Sequence, residues 1–379
     1  MNLCHSSDEN ALRDAVRRYC EKNYNFLVRN KLLQTKEGTD RARWKMFAEL
    51  GWLGAALPEE AGGYGGSAIQ TAIIAEEFGR ALVVEPFIPC AVLAGQAVNA
   101  AASPGQRRDL LGPLARGEAV FALAHGESEA GGRPEHVATR AEAAADGSYV
   151  LSGEKAVVLG ASFADKFLVS ARTSGAVDSR DGISLFLVDA AAAGVLRRSY
   201  RLVDGTRAAD LAFDQVRLAP PDLIGQAGQA LEAIELAIDH ATVASCAEAC
   251  GAMDSALWMT RDYLKTRSQY GATLNTYQAL QHRMADMLVE TEMARSMLYH
   301  ALNAIELDDA DLRRRGVSAS KVLIGQRGYF VGANAIQLHG GMGMTEEYMI
   351  GHYFKRLVSI GAQFGNTDFH LERFGGLAA

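Results

Sequence analysis

Apolar residues recur every three to four positions along the first third of the chain, gather into short runs through the middle, and resume the helical period to the end. Four stretches of residues 8–117 read as helices: "ENALRDAVRRYCEKNYNFLVRN", "DRARWKMFAELGWLG", "SAIQTAIIAEEFGRAL" and "PGQRRDLLGPLARG". The last is opened by Ser103 as cap, with Pro104 in its first turn. From Ala119 to about Leu218 the runs are "YVLSGEKAVVL", "KFLVSAR", "ISLFLVD" and "ADLAFDQVRL". Asp146-Gly147 and Asp181-Gly182 stand between runs as turn signals, so this middle part is a β unit. After "APPDLIGQAG" helices return, and in Gln278–Leu302 the positions Leu280, Met284, Met287, Met293 or Ala294, Leu298 and Leu302 mark one buried stripe. The alanine-rich "AEAAADG" and "DAAAAG" read as surface connections.

Composition narrows the chemistry. With 379 residues, 49% hydrophobic and 22% charged, the chain can bury the cores of two or three structural units. Thirty-eight basic against forty-five acidic residues leave a net charge of -7 with no polybasic run. Nucleic acid and anionic membranes are therefore not expected as partners, and an anionic ligand must be held locally. The polar start "MNLCHSSDENALRDAV" has no secretory core and no long apolar span follows, which reads as cytoplasmic. The cysteines Cys4, Cys20, Cys90, Cys246 and Cys250 are scattered and odd in number, unlike a disulfide framework. Cys246 and Cys250 share a helix face but have no further ligands nearby, so they read as packing and no metal site is expected.

Two segments carry candidate chemistry. "RSQYGATLNTYQALQHR", Arg267 to Arg283, places an arginine fork, glutamine amides, a tyrosine ring and a glycine at what reads as a helix start. The fork suits a pyrophosphate and the ring a ribose or adenine face. In "AIQLHGGMGMTEEY", Gly340, Gly341 and Gly343 let backbone approach a ligand, with Gln337 one turn before Gly341. Together they point to a nucleotide.

At these segments the sequence resembles the acyl-CoA dehydrogenase family of flavoproteins. "LPEEAGGYGGS" (Leu57–Ser67) is similar to the family's first-domain loop, "RSQYG" to its R-x-Q-F-G motif and "QLHGGMG" to its Q-x-x-G-G-x-G motif. The resemblance implies an α+β fold: an N-terminal helical domain (1–118), a middle β domain (119–225) and a C-terminal four-helix bundle domain (226–379). It implies an acyl-CoA substrate, an electron-transfer acceptor and flavin adenine dinucleotide (FAD) lying across a subunit interface of a tetramer. Arg267, Gln269, Tyr270, Gln337, Gly340 and Gly341, with Gln278 close by, would hold the adenosine half of a neighbour's flavin.

The same resemblance calls for a glutamate base at one of two places, and here those places hold Phe364 and Ala241. Near them, Asp239, His240 and Asp368 are the titratable groups, and Thr242 takes the place of an arginine. Asp239 and His240 point away from Ala241 around the helix, which suggests a solvated or interface role. On the flavin-ring side, T-E-P-x-x-G-S-D is replaced by "HGESEAGGR", keeping Glu127 but with Gly126 for the threonine. K-x-W-I-T is replaced by "KAVVL", with Val157 and Leu159. One half of the site is kept and the other degraded, which implies a heteromer with a glutamate-bearing partner, like the small subunits acting on dicarboxylic or steroid-type acyl-CoAs. The alternatives are a homotetramer using Asp239, His240 or Asp368, a flavin monooxygenase or oxidase on the same fold, and a flavin-free scaffold.

Overall fold

The computed structural model describes residues 6–376, so Cys4 lies outside the described residues. The described residues fall into two compact units, one drawn from residues 6–31, 68–83 and 242–376, the other from Leu32–Ser67 and Val84–Ala241.

The helical expectation at the N-terminus resolves into α1 (Ser7–Asn23) and α2 (Phe26–Gln34), not one continuous helix. A capping box between Ser6 and Glu9 opens α1. The break comes at Tyr24, whose φ of -132° leaves the helical region, and the Asn25 side chain restarts the ladder by accepting from the Val28 N–H at 3.0 Å. Next come α3 (Arg41–Glu49), capped by Asp40, α4 (Ala68–Ala81), α5 (Ala94–Ala101) and α6 (Pro104–Ala115). Ser103 caps α6 through a box with Gln106, as its sequence suggests.

Eight strands come next: β1 (Phe121–Ala124), β2 (Arg140–Ala143), β3 (Tyr149–Leu159), β4 (Lys166–Arg172), β5 (Ile183–Asp189), β6 (Val195–Arg201), β7 (Arg207–Leu218) and β8 (Leu223–Ile224). The four sequence runs coincide with β3, β4, β5 and most of β7. The first alanine-rich stretch is a correction: its "AEA" is strand β2, paired with β3, and only the rest turns. The sheet runs β6-β7-β3-β2-β4-β5-β8, with β1 parallel to β4. Its core includes Leu151, Phe167, Val169, Phe186, Leu211 and Phe213. Edge strand β6 carries Arg197, Arg198 and Arg201, charges that discourage pairing with another sheet.

The other unit is helical: α1, α4 and most of α7 (Leu231–Thr266), then α8 (Gln278–Ile305), α9 (Ala310–His339), α10 (Met349–Ala362) and α11 (Thr367–Gly376). Between α7 and α8 lie two short strands, β9 (Ser268–Gln269) and β10 (Ala272–Thr273). In α8 the stripe buries Met287, Ala294, Leu298 and Leu302, while Leu280 and Met284 are half-buried; Met293 is exposed, so Ala294 takes that step. Charges are paired where α4 is buried: Arg17 meets Glu77, Arg295 meets Glu76, and Arg80 reaches Glu76, Glu77 and Asp254. Glu248 of α7 is held by Arg356 of α10 through two bonds of 2.6 Å.

Candidate functional site

Helix α7 ends at Thr266, and the Arg267 N–H still closes its last turn on the Tyr263 carbonyl at 2.9 Å. The sequence suggests a helix start here, but the next residues form a tight hairpin in which β9 pairs antiparallel with β10. Tyr270 and Gly271 turn it with φ of 54° and 82°, a reversal that needs left-handed backbone at both central residues. The Leu274 N–H donates to the Arg267 carbonyl (2.8 Å) and the Tyr277 hydroxyl to the Gln269 carbonyl (3.0 Å), so the hairpin backbone is anchored. Arg267, Gln269 and Tyr270 are exposed, Tyr270 by 93%, and Gln278 is exposed at the first turn of α8. The Arg267 guanidinium finds no acceptor among the described residues.

Gln337, also exposed, occupies the last turn of α9. Gly340 ends that helix at φ 58°, and a Cβ placed on Gly340 or Gly341 would meet nothing within 4 Å, so their backbone faces open space. Gly343 differs: a Cβ there would lie 2.7 Å from the Ile336 carbonyl oxygen, so its glycine serves the fold.

Tyr263 brings the two segments together, a residue that sequence reasoning passes over. Its ring stacks on His339 with centroids 4.3 Å apart, and its hydroxyl donates to the His339 carbonyl at 3.3 Å. Tyr348 packs against both rings. His339 is buried, and because its Nδ1–H donates to the Ala335 carbonyl at 2.8 Å, its Nε2 is a bare acceptor. Burial holds this imidazole below its usual range.

The two base positions hold no carboxylate. Phe364 lies in the turn between α10 and α11 at φ 57°, followed by Gly365 at 102°. The His370 Nε2–H donates to its carbonyl at 3.0 Å, and His370 Nδ1 accepts from the Ser318 hydroxyl at 3.1 Å. Burial first, and the Lys321 ammonium second, push His370 down to about 3, which keeps it neutral in this pose. Asp368 is exposed in the first turn of α11, at an open groove of about 710 Å³ that Tyr329, Phe330, Leu357 and Asn366 also line. Ala241 is fully buried in α7, and so is Asp239, while His240 is half-buried. The expectation of a solvated role is corrected for Asp239: that face of α7 is turned into the protein.

In the β unit Glu127 is engaged by its own chain. It accepts from the Ala138 N–H (2.7 Å), the Thr139 N–H (3.1 Å) and Lys155 Nζ (2.7 Å). Lys155 is buried and donates also to the His125 carbonyl (3.2 Å) and Ser170 Oγ (3.0 Å). Burial pulls Lys155 down to about 8 and His125 down to about 3. Val157 sits in a β-bulge of β3 at φ 53°, its N–H donating to Asp210 at 3.1 Å and its side chain 54% exposed. Leu159 is half-buried.

The two halves answer differently to a flavin dinucleotide. The exposed fork of Arg267, the amides of Gln269, Gln278 and Gln337, unspent among the described residues, and open glycine backbone fit a diphosphate and adenosine. The positions at Gly126, Val157 and Leu159 offer a ring system neither hydroxyl nor indole.

The chain matches the acyl-CoA dehydrogenase N-terminal domain over residues 6–118, the middle domain over 122–216 and the C-terminal domain over 228–375. It is 30% identical over 331 residues to the probable acyl-CoA dehydrogenase YngJ of Bacillus subtilis, covering 84% of this chain and 85% of that one. It is 29% identical over 338 residues to the L-prolyl-[peptidyl-carrier protein] dehydrogenase of Pseudomonas fluorescens, covering 87% and 88%. Among solved structures, a variant of the Tcur3481-Tcur3483 steroid ACAD superposes with a TM-score of 0.87 at 30% identity, covering 98% of this chain and 97% of that one.

Proposed function

This chain belongs to the acyl-CoA dehydrogenase family of FAD-dependent oxidoreductases, and within it we propose that it is the subunit lacking the glutamate base in a heteromeric enzyme that desaturates an acyl-CoA thioester. Its three domains would span 1–118, 119–225 and 226–379. The observation that carries the reading is an asymmetry. Neither Phe364 nor Ala241 can accept a proton, while the donors of the adenosine side stand exposed and unspent.

In this reading Arg267 binds the diphosphate of a partner subunit's flavin with its fork, and Gln269, Gln278 and Gln337 offer amides around it. Tyr270 covers the ribose or adenine face, and Gly340 and Gly341 admit the ligand to bare backbone. When bound, FAD supplies the acceptor for a hydride from the thioester's β carbon. The α proton falls to a glutamate of the partner, and a separate electron-transfer protein reoxidises the assembly. A bulky steroid-type acyl group is favoured by the likeness to a steroid ACAD at 30% identity.

The test is native mass spectrometry and visible absorbance on the chain expressed alone and with a glutamate-bearing partner. Alone, acyl-CoA should leave the flavin absorbance unbleached, because a positioned general base is worth about 10²–10⁴-fold. With the partner, bleaching should appear in a mixed tetramer. Bleaching by the chain alone, abolished by Asp239→Asn or Asp368→Asn, would replace this reading with a homotetramer using an unusual base. Oxygen consumption by the reduced flavin would favour a monooxygenase or oxidase, and absence of flavin from every preparation would favour a scaffold.

A further inference from the structure

We propose that Tyr263 is a positioning residue that fixes the arginine hairpin and the glycine turn as one anion-binding unit; this rests on the adenosine-site reading above. One residue touches both segments. Its carbonyl accepts the Arg267 N–H at 2.9 Å, its hydroxyl donates to the His339 carbonyl at 3.3 Å, and its ring lies on the His339 imidazole at 27° between planes. His339 is the residue immediately before Gly340, so the stack sets where the bare backbone of Gly340 and Gly341 begins.

The His339 ring is itself immobilised. Its Nδ1–H is spent on the Ala335 carbonyl, Tyr348 packs at 5.2 Å, and only 2% of the residue is exposed. Its Nε2 has no hydrogen-bond partner among the described residues, so nothing polar pulls the ring out of the stack. Arg267, in contrast, is exposed and carries a long flexible side chain that must find a diphosphate in the right place. A fixed spacing between its hairpin and the glycine turn spares the entropy of searching for it.

The measurement is FAD affinity of the assembled flavoprotein, by fluorescence titration after flavin removal, in a double-mutant cycle of Tyr263 and Arg267. Tyr263→Leu should weaken FAD binding about tenfold, and Tyr263→Phe, which keeps the stack, by no more than about threefold. In an Arg267→Ala background the effect of Tyr263→Leu should shrink to about twofold or less, because a residue that acts by placing the arginine has little left to place. Where Tyr263→Leu fails to assemble, His339→Leu removes the other half of the stack and carries the same expectation. Wild-type affinity in Tyr263→Leu, no advantage of phenylalanine over leucine, or a loss equal in both backgrounds overturns the clamp. Unchanged affinity in Arg267→Ala alone overturns instead the adenosine-site reading.

Discussion

Arg267 shows how far a single residue can be read. Its exposure and its lack of an acceptor among the described residues leave the whole fork available, so Arg267→Ala should cost about 1.5–3 kcal/mol of FAD affinity, with lysine recovering only part. Equilibrium titration checks this, and wild-type affinity in the alanine variant would confine the arginine to a structural role. Val157 makes a different point. A β-branched residue at φ 53° is strained, and more than half of this side chain is exposed, so little burial compensates. Val157→Asn, a residue that tolerates left-handed backbone, should raise unfolding stability by about 0.5–1 kcal/mol. A lower urea midpoint for that variant would show that the valine packs in the assembly.

Between elements, α4 and α7 approach closely within the helical unit, and glycine permits it. A Cβ on Gly79 would lie 2.0 Å from the Glu248 carbonyl oxygen, and one on Gly251 only 1.9 Å from that of Glu76. Backbone atoms cannot yield as a side-chain end can, so Gly79→Ala and Gly251→Ala should each destabilise by about 2–3 kcal/mol. Gly105 of α6, where a Cβ meets nothing within 4 Å, is the control: alanine there should stabilise by up to about 1 kcal/mol. Denaturation midpoints that move together in all three variants would contradict this account. The same crossing sets Glu76 and Arg80 of α4 beside Asp254 of α7, and Arg295 of α8 reaches both Glu76 and Asp254.

For the whole molecule, histidines desolvated by the fold contribute to the response to acid. His125 and His370 are pushed to about 3 by burial, and His339 and His352 are lowered for the same reason, all against about 6.5 in an unfolded chain. Below pH 6.5 the unfolded state binds protons that the folded state refuses, so stability rises with pH in this window. It is fully present above about 6.5 and is lost as pH falls toward 3. Each histidine that stays neutral contributes up to about 1.4 kcal/mol per pH unit. Urea midpoints at pH 7.5, 6.5 and 5.5 should fall slightly across the first step and steeply across the second, and His370→Gln should soften the fall. A flat profile would show that these imidazoles protonate within the fold.

Legible in the chain alone were the order of helices and strands, the runs that became β3, β4 and β5, the Ser103 cap, the two candidate nucleotide segments and the lack of a carboxylate at positions 364 and 241. These are legible because hydrophobic period, capping chemistry and residue identity are local properties. Packing in three dimensions settles that α1 and α2 part at Tyr24, that Arg267 opens a hairpin, that Asp239 is buried, that Glu127 is committed to Lys155, and that Tyr263 lies on His339. The last of these joins residues 76 positions apart in the chain, and no local pattern links such a pair. Their meeting is set by how helices α7 and α9 pack, a balance of many side chains at once, and so it belongs to the fold and not to any stretch of the sequence.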